Sequence, residues 1–294
     1  MTDQANRLRD LIRQRSLEAA QSRQALSSRV IVVTSGKGGV GKSNLSVNMA
    51  IQMKRQNKRV VLIDTDFGLA NVEVLCGINP SYNFGDVLAG VVDIKAALTT
   101  GPLGIPFLSG GSGLTSLANI TERQISVLTD SFLTLDSLAD ILLIDTGAGM
   151  SHAVVDFVKA ANVAVVVTTP DPTSVTDAYA LIKAVKDTVE ELPEFKLVVN
   201  RVENPEEGVD IYEKLSGVCG RFLGISLLSL GNIPNDPHLI RAVKKQQPVS
   251  LLYPNAESTR CVEAICTKLL NMPPAQADKG GIRGFMNRLL KRKN

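Results

Sequence analysis

Apolar residues fall along this chain in two alternating rhythms. Short runs rich in β-branched residues recur at 30–34 (VIVVT), 60–64 (VVLID), 141–145 (ILLID), 163–169 (VAVVVTT), 196–200 (KLVVN) and 227–233 (LLSLGNI). Between them, apolar positions return at helical spacing over 43–56, 151–161, 174–190, 206–221 and 255–270. Runs apolar on both faces need helices on each side of a sheet, and strand-helix alternation lets successive strands run parallel. The pattern predicts an α/β, doubly wound, mostly parallel sheet over 29–270.

Both ends stand apart from that rhythm. Residues 3–26 carry Leu8, Leu11 and Ile12 at helical spacing among polar and charged residues, without Gly or Pro, which predicts a short exposed helix. Residues 271–281 hold two prolines and two glycines and read as a linker. In the tail beyond it, Ile282, Phe285, Met286, Leu289 and Leu290 fall on one helical face. Lys279, Arg283, Arg288, Lys291, Arg292 and Lys293 surround them, and no acidic residue follows Asp278. An apolar stripe bordered by cations suits an anionic bilayer surface. Docking on the domain core or contact with nucleic acid are the alternatives for the same helix.

Composition adds limits. With 294 residues, 44% hydrophobic and 4% aromatic, the chain can bury one substantial core. Cys76, Cys219, Cys261 and Cys266 form no C-x-x-C pair and have no histidine cluster beside them, so buried thiols in a reducing compartment are expected. No secretory signal and no run of roughly 18 apolar residues occurs, so a cytosolic body is expected. The net charge of +3 decides little.

The chemistry centres on "GKGGVGKSN", Gly36 to Asn44. Gly36, Gly41, Lys42 and Ser43 satisfy G-x-x-x-x-G-K-[ST], placed after a strand and opening a helix. Gly36, Gly38, Gly39 and Gly41 let backbone N–H groups around Val40 turn toward an anion, and the helix N-terminus adds its positive end. Lys42 would neutralise β- and γ-phosphate charge, and the Ser43 hydroxyl would ligate Mg²⁺. Two further strands end in aspartate: Asp145 fits the residue that orients Mg²⁺, and "DTD" supplies Asp64 and Asp66. Parallel strands bring their C-terminal ends to one crevice, so all three can converge on the loop. Asp66 is assigned to the attacking water and Asp64 to the metal; the alternative for either is a cap on the following loop. That leaves Lys37, a second lysine the phosphate site does not require.

"KGGVGKS", "DTDFGLAN", "DTGAG" and "IPND", in that order, resemble the deviant-Walker ATPases of the MinD/ParA group over nearly the whole α/β domain. The resemblance implies ATP and Mg²⁺ as cofactors and an ATP-dependent homodimer in which Lys37 reaches across to the partner's phosphates. It also implies that Asn200 contacts the adenine edge and that the stretch around Pro234 and Asp236 supplies backbone contacts beside it. The guanine signature N-K-x-D is absent, since Asn200 is followed by Arg201, Val202 and Glu203, which favours ATP over GTP. One tail would bind lipid marginally, whereas two in a dimer would bind far better through effective concentration. ATP-dependent peripheral association with the inner membrane face is therefore expected.

"DQANRLR", residues 3–9, resembles the amino-terminal motif of the FlhG (FleN, YlxH) family of MinD-like regulators of flagellar number and placement. The resemblance implies that Asp3, Gln4, Asn6, Arg7, Leu8 and Arg9 engage and stimulate an FlhF-like GTPase of the signal-recognition-particle type. It further implies flagellar transcription regulators and switch-complex proteins as partners. The rival reading is a ParA-like DNA-partitioning ATPase, against which the five-residue apolar face argues, because phosphate binding needs charge alone. No direct nucleic-acid contact is expected. An iron-sulfur carrier would need paired cysteines that the sequence lacks.

Overall fold

Runs of Val, Ile and Leu build the interior of the sheet. The structure, a computed structural model, describes residues 28–66, 71–111, 121–189, 191–272 and 280–290. Its strands are β1 (Arg29–Ser35), β2 (Val60–Thr65), β3 (Thr99–Thr100), β4 (Pro106–Leu108), β5 (Ile141–Ala148), β6 (Val163–Thr168), β7 (Glu194–Val202) and β8 (Leu228–Pro234). Helices follow them in the order α1 (Lys42–Arg55), α2 (Asn71–Cys76), α3 (Phe84–Ala89), α4 (Ile94–Ala97), α5 (Glu122–Asp136) and α6 (His152–Ala160). The remainder are α7 (Pro172–Lys186), α8 (Pro205–Val218), α9 (Pro237–Lys244), α10 (Val249–Leu252), α11 (Glu257–Asn271) and α12 (Gly281–Leu290).

The eight strands lie in the order β3-β4-β2-β5-β1-β6-β7-β8, parallel throughout except for the short β3–β4 pair. Alternation along β1 shows why both faces must be covered. Val30 and Val32 enter one core with Phe84, Phe132 and Phe157, while Ile31 and Val33 enter the other with Leu45, Met49 and Val262. Helices α3, α5, α6, α7 and α8 cover the first face, and α1, α2 and α11 the second. Strand order reverses at β1, which sits between β5 and β6, so the crevice for a ligand opens at its C-terminal end.

The predicted doubly wound fold is present. The pattern reading omits β3, β4, the helices α2 to α5 and the helices α9 and α10, and it treats the tail as an outlying appendage, which the structure corrects. Helix α12 packs on α5, α6 and β1. Its Ile282, Phe285, Met286 and Leu289 are buried and Leu290 is half-buried. Phe285 stacks on Phe132 at 5.7 Å and on Phe157 at 6.3 Å, and Arg288 Nε donates to the Ala160 carbonyl at 2.9 Å. An amphipathic face has one hydrophobic demand whether core or lipid meets it, and here the core does. The linker over 273–279 and the amino-terminal segment with Asp3, Gln4, Asn6, Arg7, Leu8 and Arg9 lie outside the described residues. Cys219 and Cys266 are buried, Cys76 and Cys261 only half so, and all four are free thiols. Among the described residues no helix is long and apolar enough to cross a membrane.

Candidate active site

The loop from Gly36 to Gly41 follows β1 at the point where strand order reverses. Two of its glycines are dictated by space as well as chemistry. A Cβ on Gly36 would lie 2.2 Å from the Asp177 backbone carbonyl, so the loop can rest on α7 only with glycine there. Gly41 has φ +94 and a Cβ on it would lie 2.3 Å from Asn200 Nδ2. Gly41 caps α1 without a side-chain bond, and no acid occupies the first turn of the helix, leaving its N–H groups and positive end to an anion.

The buried Lys42 Nζ sits 3.1 Å from Asp145 Oδ1 and 3.2 Å from Ser43 Oγ. Asp145 is itself 0% exposed and pairs in register with Asp64 on the neighbouring strand. Asp64 accepts hydrogen bonds from the Asp66 N–H at 2.8 Å and the Val72 N–H at 3.2 Å. Burial, and next the Asp145 charge beside it, push the Asp64 carboxyl up to about 8 despite those donors. Two adjacent buried carboxylates share one lysine, and a cation bound between them would let both ionise. Asp145 Oδ2 is buried with no hydrogen-bond partner among the described residues. A hydroxyl and carboxylates around such an oxygen are hard donors and fit Mg²⁺, which keeps waters and phosphate oxygens in its shell. Ser43, Asp64 and Asp145 are thus brought together as the sequence predicts. Ser43, Asp64 and Asp145 would hold the metal, whose positive charge would offset the negative charge of a bound triphosphate.

Asp66 lies at the rim, where Asn71 Nδ2 donates to its Oδ2 at 3.2 Å and a Cβ on Gly147 would meet its Oδ1 at 3.7 Å. It therefore stands between the ends of β2 and β5. Lys37 has partners different from those of Lys42. Its Nζ donates to Asp171 Oδ2 at 2.8 Å and to Thr173 Oγ1 at 2.6 Å, at the N-terminus of α7. Lys37 first, and then the Thr173 donors, hold Asp171 down to about 2, so its carboxylate stays ionised at any physiological pH.

Near the end of β7, Asn200 has a task the sequence does not reveal. Its Nδ2 donates to the Val40 carbonyl at 2.7 Å and its Oδ1 accepts from the Arg201 N–H at 3.0 Å, which ties β7 to the loop. Among the described residues, one Nδ2 hydrogen and one Oδ1 lone pair are left over. Asp236 is buried and caps α9 through the His238 N–H while accepting from Ser258 N–H and Oγ, so its side chain fastens α9 to α11. Sequence reasoning missed Asp171 and Thr173, although Asp171-Pro172 is a readable helix start.

Known proteins agree with this geometry. The model of the CobQ/CobB/MinD/ParA nucleotide binding domain matches residues 31–249. The chain is 37% identical over 262 residues to the antiactivator FleN of Pseudomonas aeruginosa, covering 89% of this chain and 93% of that one. It is 33% identical over 296 residues to the flagellum site-determining protein YlxH of Helicobacter pylori, covering 99% of each. In fold it resembles MinD in the MinC:MinD cell division complex of Aquifex aeolicus, with TM-score 0.66, 24% identity, and coverage of 85% of this chain and 98% of that one. MinD of Pyrococcus horikoshii complexed with Mg-ADP also shares the fold, at TM-score 0.66 and 20% identity, covering 83% of this chain and 96% of that one. A strand-loop-helix phosphate cradle, paired strand-end carboxylates and a family match over most of the chain place this protein among the MinD/ParA-type P-loop ATPases.

Proposed function

We propose that this chain is a regulatory ATPase of flagellar number and placement that dimerises on Mg·ATP and cycles on and off the membrane. The likeness to FleN and YlxH supports the flagellar assignment. The observation that carries the dimer is Lys37, a cation in the phosphate loop whose partners are Asp171 and Thr173, not the Asp145 that holds Lys42, and which rests on a partly exposed carboxylate. Its flexible stem can exchange Asp171 for a second nucleotide. Asn200, with the backbone around Pro234 and Asp236, would hold adenine. Lys42, Ser43, Asp64 and Asp145 would hold the Mg·triphosphate, and Asp66 would hold the attacking water.

Membrane binding through Ile282, Phe285, Met286, Leu289 and Leu290 requires α12 to leave its seat, because that face is occupied by the core. Release uncovers Phe132 and Phe157, and each large apolar side chain exposed costs about 1.5–3 kcal/mol. Dimer formation has to offset this before two tails can act together. Since the stripe is satisfied by the body, it does not by itself set a lipid cycle apart from a ParA-like DNA-binding cycle. Co-sedimentation with anionic vesicles and with plasmid DNA, in ATP and in ADP, does so. ATP-dependent binding to vesicles alone is expected, and ATP-dependent binding to DNA alone would establish the other reading.

Asp66→Ala is expected to keep the ATP-dependent dimer and lose turnover at least about 100-fold, because water positioning matters after assembly. Phosphate release together with sizing checks both halves, and hydrolysis at the wild-type rate would move the role elsewhere. For the amino-terminal segment, deletion of residues 1–20 is expected to spare ATP hydrolysis and dimerisation while removing stimulation of an FlhF-like GTPase. A peptide of residues 1–20 should restore that stimulation, with Gln4 ordering the partner's catalytic centre and Leu8 docking in its groove. Full stimulation by the truncated protein would refute the activator role. Flagellar transcription regulators and switch-complex proteins are the further partners this reading carries.

A further inference from the structure

Helix α1 turns two donors on one face toward a single carboxylate oxygen. Lys42 and Ser46 are four residues apart, and both reach Asp145 Oδ1, Lys42 Nζ at 3.1 Å and Ser46 Oγ at 2.8 Å. Ser46 is 0% exposed, and its Oγ also lies 3.1 Å from the Lys42 carbonyl. A hydroxyl has one proton, and both neighbours only accept, so the shorter, charge-assisted bond to the carboxylate takes it. The Asp145 backbone carbonyl is fixed separately, accepting from Thr65 Oγ1 at 3.1 Å. The carboxylate is therefore asymmetric, with two donors on Oδ1 and no hydrogen-bond partner among the described residues on Oδ2.

The two donors have different prospects. Lys42 is the lysine that would move to the phosphates when nucleotide binds, and its bond to Asp145 then lapses. Ser46 lies one turn further into the helix, has no solvent to turn to, and keeps its bond. We propose that Ser46 is a positioning residue that holds Asp145 by Oδ1 while Lys42 changes partners, so that Oδ2 stays turned to the Mg²⁺ shell. The inference rests on the reading of this crevice as the Mg·nucleotide site. Without Ser46, Asp145 would lose its orientation at the moment the metal arrives.

The test measures metal binding apart from turnover. Binding of a fluorescent ADP is followed first without metal and then during titration with Mg²⁺, for wild type, Ser46→Ala and Ser46→Cys. Removing a partner that orients a metal ligand weakens the metal about 10- to 100-fold. Ser46→Ala is therefore expected to raise the half-saturating Mg²⁺ by about that factor, with metal-free ADP affinity held near wild type. The thiol of Ser46→Cys, a weaker donor, should give an intermediate value. An unchanged Mg²⁺ requirement in Ser46→Ala would overturn the proposal and leave Ser46 as a side chain bonded to its own helix. An equal loss of metal-free ADP binding would overturn it too, by showing that the loop as a whole depends on Ser46. A wild-type protein that binds ADP without responding to Mg²⁺ would instead remove the site assignment beneath it.

Discussion

Lys37→Ala is expected to bind Mg·ATP nearly as well as the wild type and to stay monomeric. The two lysines of the loop have separate surroundings: Lys42 is buried against Asp145, whereas the Lys37 side chain is 39% exposed and rests on Asp171 and Thr173. Truncating Lys37 leaves the intramolecular phosphate site whole, and a solvent-exposed ion pair adds little to folding, so the melting temperature should hardly move. Across a dimer interface the same ammonium would meet a desolvated triphosphate. Truncating one partner of such a pair costs about 2–5 kcal/mol, and twofold symmetry counts it twice, so the dimer should weaken by at least about 1,000-fold. Light scattering with a nonhydrolysable ATP analogue measures this, and an undiminished Lys37→Ala dimer would defeat the trans contact. Asp171→Asn separates two senses of the resting contact. If Asp171 holds Lys37 back, the variant dimerises more readily at low salt and the difference fades as salt rises. A weaker dimer would mean that Asp171 aims the lysine at its target.

Phe285→Glu is expected to unseat α12 and to abolish vesicle binding together. Phe285 is fully buried between Phe132 and Phe157. Truncating a buried Phe alone costs about 3–5 kcal/mol, and an unpaired carboxylate in its place costs more. A terminal helix has an exit that a central strand lacks. The loss of stability should therefore stop at the value found on deleting residues 281–294, after which a second substitution in α12 adds nothing. The same glutamate would stand on the face that has to enter lipid, so detachment does not rescue membrane binding. Thermal melting beside vesicle flotation checks the pair of effects. Melting like the wild type would show that α12 is not seated in solution, and retained flotation would assign lipid contact to another surface.

The sheet and its phosphate loop could be read from sequence because their signals are local. A run such as VIVVT is apolar on both faces, and glycines spaced around a lysine after it have few other uses. Helix α5 was also announced, by a Thr121/Gln124 capping box ahead of Ile125, Leu128, Phe132 and Leu135, and the pattern reading passed over it. Strands β3 and β4, two and three residues long, are too short to show any period. The facing partner of α12 was out of reach in principle, since its stripe reports that a face must be buried and carries nothing about where. Lys37 with Asp171 and Asn200 with Val40 are joined only by the fold, which no spacing rule spans.

The position of β1 also shapes how the protein comes into being. The strand that carries the phosphate loop ends at Ser35, yet its neighbours are β5 and β6, which begin at Ile141 and Val163. During synthesis β1 therefore waits as an unpaired apolar ribbon until about half of the chain has left the ribosome. Contacts so distant in sequence slow folding and lengthen the interval in which edges can pair wrongly. The groove over Phe132 and Phe157 closes later still, when α12 arrives. A stalled or clipped product would display that aromatic pair, the kind of surface by which chaperones and proteases sort incomplete chains.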